Sequence, residues 1–197
     1  MKAISMKKII HCVAVTSALS FAASHSMAMD NQSTNEGKEH SKLSHDAHER
    51  LTDSQVIKVL STANNGEIIQ AKTALPKLKM DQTRKYAQLM INAHSSNEKK
   101  GQALASRLKL TPQASNISTS LQNESDKMTE KLSQSSAATD KDYMMSQVKV
   151  HRKVLMIIDK QLIPNAKNSE LKNMLTQTRT TVAKHLQMAE QIVAKMK

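Results

Sequence analysis

Four stretches of this chain place apolar residues at steps of three and four, and each interrupts its apolar line with one ionisable side chain. The first line is Val56, Leu60, Ala63, Glu67, Ala71 and Ala74, and the second is Tyr86 with Ala87, Met90, His94, Asn97, Gly101, Leu104 and Leu108. The third is Tyr143 with Met144, Val148, His151, Leu155, Ile158 and Leu162. The fourth is Leu171, Leu175, Thr178, Val182, His185, Ala189, Ile192 and Met196. Such spacing marks one face of an α-helix. No segment carries a strand pattern of comparable strength, so the expected class is all-α.

Punctuation agrees with the periodicity. Thr52 or Asp53 is a suitable cap for the first helix, and Pro76 closes it because proline cannot continue a helix interior. The second helix begins near Asp81 and ends before Thr111-Pro112. The third runs from about Asp140 to Ile163, closed by Pro164, and the turn Asn165 to Asn168 leads into the fourth at Ser169. Between the second and third, a thin line of Ile117, Leu121, Met128 and Leu132 predicts a shorter helix in a crossover, broken by Ser133 to Thr139. Two hairpins joined by a crossover predict a ferritin-like, up-down-down-up four-helix bundle. Gly66 costs about 1 kcal/mol relative to alanine in a helix interior, which a close approach of a neighbouring helix beside Glu67 would explain.

The start of the chain is of another kind. Lys2, Lys7 and Lys8 precede an apolar run from Ile9 to Ala22, and Ser26-Met27-Ala28 has the small residues of a cleavage site. The run falls short of the about 20 residues of a membrane span and reads as a secretory signal peptide over residues 1–28. Cys12, the only cysteine, lies within it, so the mature chain has neither a disulfide nor a thiolate metal site. Removing the three lysines lowers the net charge from +12 to about +9. Export makes nucleic acid an unsuitable partner, and a basic surface favours peripheral contact with anionic envelope components. Residues 29–51 are too polar to bury a core and read as a disordered leader. Its His40, His45 and His48 stand beside Asp46 and Glu49, a composition that suits a metal but is more simply a solvated linker. The helical domain is expected over 52–197.

Glu67, His94, His151 and His185 give each long helix one ionisable residue on its inner face. Counted from the turns, both hairpins offset their pairs by about five residues, roughly 7.5 Å at 1.5 Å per residue. The second and third helices are parallel in this topology, so Tyr86 with His94 and Tyr143 with His151, each pair eight residues apart, are expected side by side. Two chemistries suit such a layer. Three imidazoles and a carboxylate can hold one Zn or Fe ion, or the groups can hydrogen-bond one another, a tyrosine and water. A di-iron carboxylate centre is disfavoured, because Ile91 and Val182 stand where a Glu-x-x-His motif would place glutamate before His94 and His185.

Several blocks resemble a known family. The run Ser61-Thr62-Ala63-Asn64-Asn65-Gly66-Glu67-Ile68 is similar to the opening of an exported bacterial family, domain of unknown function 4142. Met90-Ile91-Asn92-Ala93-His94, Asp140 with Tyr143, His151, Leu162-Ile163-Pro164-Asn165-Ala166-Lys167-Asn168 and His185-Leu186 follow in that family's order, covering about Gln55 to the C-terminus. The resemblance implies a ferritin-like fold, export and a frequent description as a predicted outer-membrane protein. It implies polar positions at Glu67, His94, His151 and His185. Ala93 stands where the family commonly has aspartate, Gln147 where it often has glutamate and Met188 where it often has a second histidine, which favours a single ion or none over two.

The expected protein is therefore exported and periplasmic, with outer-membrane association the variant the family label suggests. Its expected role is that of a non-enzymatic envelope or stress-related binding protein with a buried Glu/His layer that holds one Zn or Fe ion or none. The alternatives are a metalloenzyme acting on oxygen or peroxide and a structural or adhesin-like envelope protein.

Overall fold

Leu51 and Thr52 mark where helical packing begins. The computed structural model of the protein describes residues 50–134 and 140–196. Thr52 caps α1 (Asp53–Ala74): its hydroxyl accepts from the Gln55 N–H, and the Gln55 side chain accepts from the Thr52 N–H, a closed capping box. Leu51, only 1 % exposed, joins the same apolar cluster as Val56, and its N–H donates to Asn165 Oδ1 at 3.2 Å. Leu51 therefore belongs to the core and not to the leader expected over 29–51. The residue before an N-cap is well placed to staple the first turn. The expected signal peptide, and the leader histidines His40, His45 and His48, lie outside the described residues.

α1 passes through a 3₁₀ turn, Leu75–Lys77, containing Pro76. α2 spans Asp81–Arg107. Its entry is fixed from a distance: the Asp140 carboxylate accepts from the N–H groups of Lys79 and Met80. The two helices are antiparallel, with Ser61 of α1 donating to Glu98 of α2 at 2.8 Å.

The crossover segment departs from expectation. α3 spans Asn116–Gln134, 19 residues, and is a full-length helix lying parallel to α1 along its whole length. Gln55 reaches the Ala114 carbonyl at one end, Gln70 the Ser125 hydroxyl in the middle and Lys77 the Leu132 carbonyl at the other. Its apolar line is thin because small polar residues, Ser118 and Ser125, are buried in it. The close approach foreseen at Gly66 is made here, since a Cβ on Gly66 would stand 2.7 Å from Ser125 Oγ and 3.2 Å from Ser125 Cβ.

α4 spans Asp140–Ile157 and winds on through a π turn, Ile158–Leu162, and a short helical turn, Ile163–Asn165. Pro164 thus does not end the winding where the sequence suggested. It has no N–H to give the carbonyl four residues back, and the chain absorbs this by widening, with the Ile163 N–H donating to the Ile158 carbonyl. α5 spans Ser169–Ala194, its first N–H groups capped by Asn168 Oδ1. Arg152–Glu190 and Arg179–Asp159 ion pairs run α4 and α5 antiparallel. The Asp53 carboxylate accepts from the Lys167 and Asn168 N–H groups. The start of α1 therefore meets the end of α4, which makes α2 and α4 parallel.

Every element among the described residues is helical, so the protein is all-α. The apolar interior falls into two clusters. One holds Val56, Leu60, Leu104, Leu162, Leu171 and Leu175. The other holds Ala71, Ala87, Met90, Tyr143, Met144 and Ala189. On α1, α2 and α5 the numbering of these clusters leaves Glu67, His94 and His185 between them.

Candidate functional site

His94 on α2, His151 on α4 and His185 on α5 face one another. Their ring centroids are 5.8 Å (94–151), 5.4 Å (94–185) and 5.6 Å (151–185) apart. One nitrogen from each ring lies within 4.8 Å of the other two. All three are buried, as is Glu67 on α1. Glu67 stands beside the triad and not within it, its Oε1 3.7 Å from His151 Nδ1. Of the four residues predicted from the sequence, three therefore converge and the fourth flanks them. Tyr86 and Tyr143 also meet, at 6.4 Å and edge to face, one level away, so the two Tyr/His pairs lie side by side as expected.

The tautomers of two rings follow from what they touch. His151 Nδ1 is 2.8 Å from the Gln147 carbonyl, and a carbonyl only accepts, so Nδ1 carries the proton and Nε2 the lone pair. His94 Nδ1 is 3.1 Å from Asn64 Oδ1. That oxygen also accepts from Asn97 Nδ2, while Asn97 Oδ1 accepts from the Thr178 hydroxyl. This orients the Asn64 amide and again leaves Nε2 with the lone pair. Asn64, Asn97, Thr178 and the Gln147 carbonyl thus hold the rings, and sequence reasoning assigned none of them a role. Asn64 lies three residues before Glu67 and Asn97 three after His94, a same-face spacing that was the available signal.

Among the described residues, His94 Nε2, His151 Nε2, His185 Nδ1, both Glu67 oxygens and the Tyr143 hydroxyl have no hydrogen-bond partner. Unpaired buried polar groups are costly, and several of them belong to this Glu/His layer. Burial also keeps the imidazoles neutral. It lowers His151 and His185 to about 4, His185 further aided by His151. It pushes His94 well below its ordinary value, with His151 and His185 adding to the effect. Burial raises Glu67 to about 8, so at neutral pH it is largely protonated. The Gln147 amide opposes this slightly from a position too poor for a regular hydrogen bond. Tyr86 and Tyr143 are pushed up by burial and then by Glu67, and Tyr86 donates to the His185 carbonyl at 3.2 Å.

Two cavities approach the layer from opposite sides. One of about 270 Å³ between α2 and α5 reaches His94 and His185 past Lys100, Asn97 and Thr181. Another of about 320 Å³, between α1, α3 and α4, reaches Glu67.

Comparison with known proteins bears on ancestry alone. No curated protein matches the chain. No solved structure matches it either. Residues 21–192 match the sequence model of one family, described as Domain of unknown function (DUF4142). That match takes in Glu67 and all three histidines, so the chain belongs to the DUF4142 family.

Proposed function

We propose that this protein is an exported metal-binding protein of ferritin-like, four-helix-bundle design. It holds one divalent transition ion, zinc or iron, on His94, His151 and His185, with Glu67 as the adjacent carboxylate. The observation that carries the reading is that one nitrogen from each of three buried imidazoles lies within 4.8 Å of the other two, and that each ring has a nitrogen without a hydrogen-bond partner among the described residues. Two of their rings are pinned through Nδ1–H to oxygen acceptors, the usual support of a metal-bound histidine. A spread of up to 4.8 Å is slightly wider than twice a Zn–N bond of about 2.1 Å, so binding draws the rings inward. A cation at the triad favours the ionised form of Glu67, which then balances its charge from beside the site. The antiparallel pairs α1/α2 and α4/α5, with α2 parallel to α4, support the bundle reading, with α3 as an added helix on α1. Export and a periplasmic place rest on the basic, apolar and small-residue order of the first 28 residues.

A second reading is favoured by the polar cavity that meets His94 and His185. An ion reachable from that side has room for oxygen or peroxide, which makes the protein a metalloenzyme if the ion is redox-active. The imidazoles then supply fixed neutral donors and Glu67 a site for one proton.

Elemental analysis of the purified protein beside His151→Ala tests the main reading. About one equivalent of metal in the parent and none in the variant is expected, and sub-stoichiometric metal in both sinks it. An iron-loaded sample without oxidase or peroxidase turnover excludes the second reading alone.

A further inference from the structure

The cavity between α1, α3 and α4 has a character the histidine layer does not explain. Its walls are mainly apolar, with Ala63, Leu121, Met128, Val150 and Val154 among them, and Glu67 and Gln70 reach it as well. Its rim is cationic. Lys127 and Lys131 stand four apart on α3, and Lys149 and Lys153 four apart on α4. Like charges at that spacing weaken a helix, and two such pairs border one opening. Glu124 ties down Lys153. Lys127 and Lys131 make no hydrogen bond or ion pair among the described residues. An apolar chamber of about 320 Å³ under a cationic mouth lies at the small end of ligand sites, roughly 300–1,000 Å³. It suits one alkyl chain with an anionic head group.

We propose that this cavity binds a single-chain alkyl carboxylate of medium length, its chain against Leu121, Met128, Val150 and Val154 and its carboxylate among Lys127, Lys131 and Lys149. Charge complementarity selects an anion, and the chamber size selects one chain over a two-tailed lipid. The inference is independent of any metal.

Calorimetric titration of the full chain with decanoate, below its micelle concentration, tests this. Expected is saturable binding of one molecule per chain, with octanoate weaker on the order of tenfold for its two fewer methylenes. Acetate, which shares the head group, should show no binding at these concentrations. The double variant Lys127→Glu/Lys131→Glu changes only exposed side chains and should melt like the parent while binding decanoate at least tenfold more weakly. Ala63→Leu, which fills the chamber, should weaken it comparably without touching the rim. Several outcomes overturn the proposal: no saturable binding, equal binding of decyltrimethylammonium, or decanoate affinity unchanged in both variants.

Discussion

The Nδ1 atom of His151 lies 2.8 Å from the carbonyl oxygen of Gln147, one turn back on the same helix. A buried imidazole is thereby given a fixed tautomer by backbone alone, with its ring packed against those of His94 and His185. His94 obtains the same result from a side chain, Asn64, and is therefore the ring that mutation can release.

Asn64→Ala should lower metal affinity by about 10- to 100-fold, the usual loss when a ligand's outer partner is removed, while stoichiometry stays at one. Competition against a chelator of known affinity measures this. Equal affinity in parent and variant would show that the Asn64 contact does not orient His94 for binding.

Metal-free protein should lose stability as pH falls from about 6.5 toward 4. The unfolded chain takes up protons at ordinary histidines there, while His151 and His185, held at about 4, do not. Each therefore adds a slope of up to about 1.4 kcal/mol per pH unit in favour of the higher pH. Glu67 acts in the opposite sense: raised from 4.5 to about 8, it favours the folded state at low pH and loses that contribution as pH rises through 8. Chemical denaturation across pH 4–9 should show a maximum between these limits. Glu67→Gln should flatten the alkaline side, and His151→Ala the acid side.

Gly66→Ala should destabilise by about 1–2 kcal/mol. The new Cβ meets Ser125, and overpacking of this kind outweighs the gain of about 1 kcal/mol in helix propensity. Ser125→Ala in the same chain removes the nearest atom and should restore part of the loss in a thermal melt.

Leu51→Ala should cost about 2–4 kcal/mol, the range for a leucine truncated in a packed core. If residues up to 51 were a solvated leader, the denaturation midpoint would not move.

The long helices were legible because each one's apolar stripe repeats for several turns and ends at proline or a capping residue. The meeting of His94, His151 and His185 was legible because one polar break per stripe, at matched distance from the turns, leaves little choice. α3 was underestimated because its contact with α1 rests on Ser118, Ser125 and Gly66, small residues that count as breaks in an apolar pattern. Leu51 was lost to the leader because a single apolar residue after a polar run has no periodicity. The displacement of Glu67 from the triad, and the support given by Asn64, Asn97 and Thr178, depend on rotamers and helix rotation, to which a stripe is blind.

The separation of the apolar interior into two clusters has a mechanical side. The polar level between them is a seam across the helical core, where hydrophobic cohesion is interrupted by Glu67 and three imidazoles. His94 belongs to one hairpin, and His151 and His185 to the other, so an ion held by all three is a rivet through that seam. Without it, the backbone near residues 94, 151 and 185 should exchange its amide protons faster than either flanking cluster; with it, the two halves should open only together.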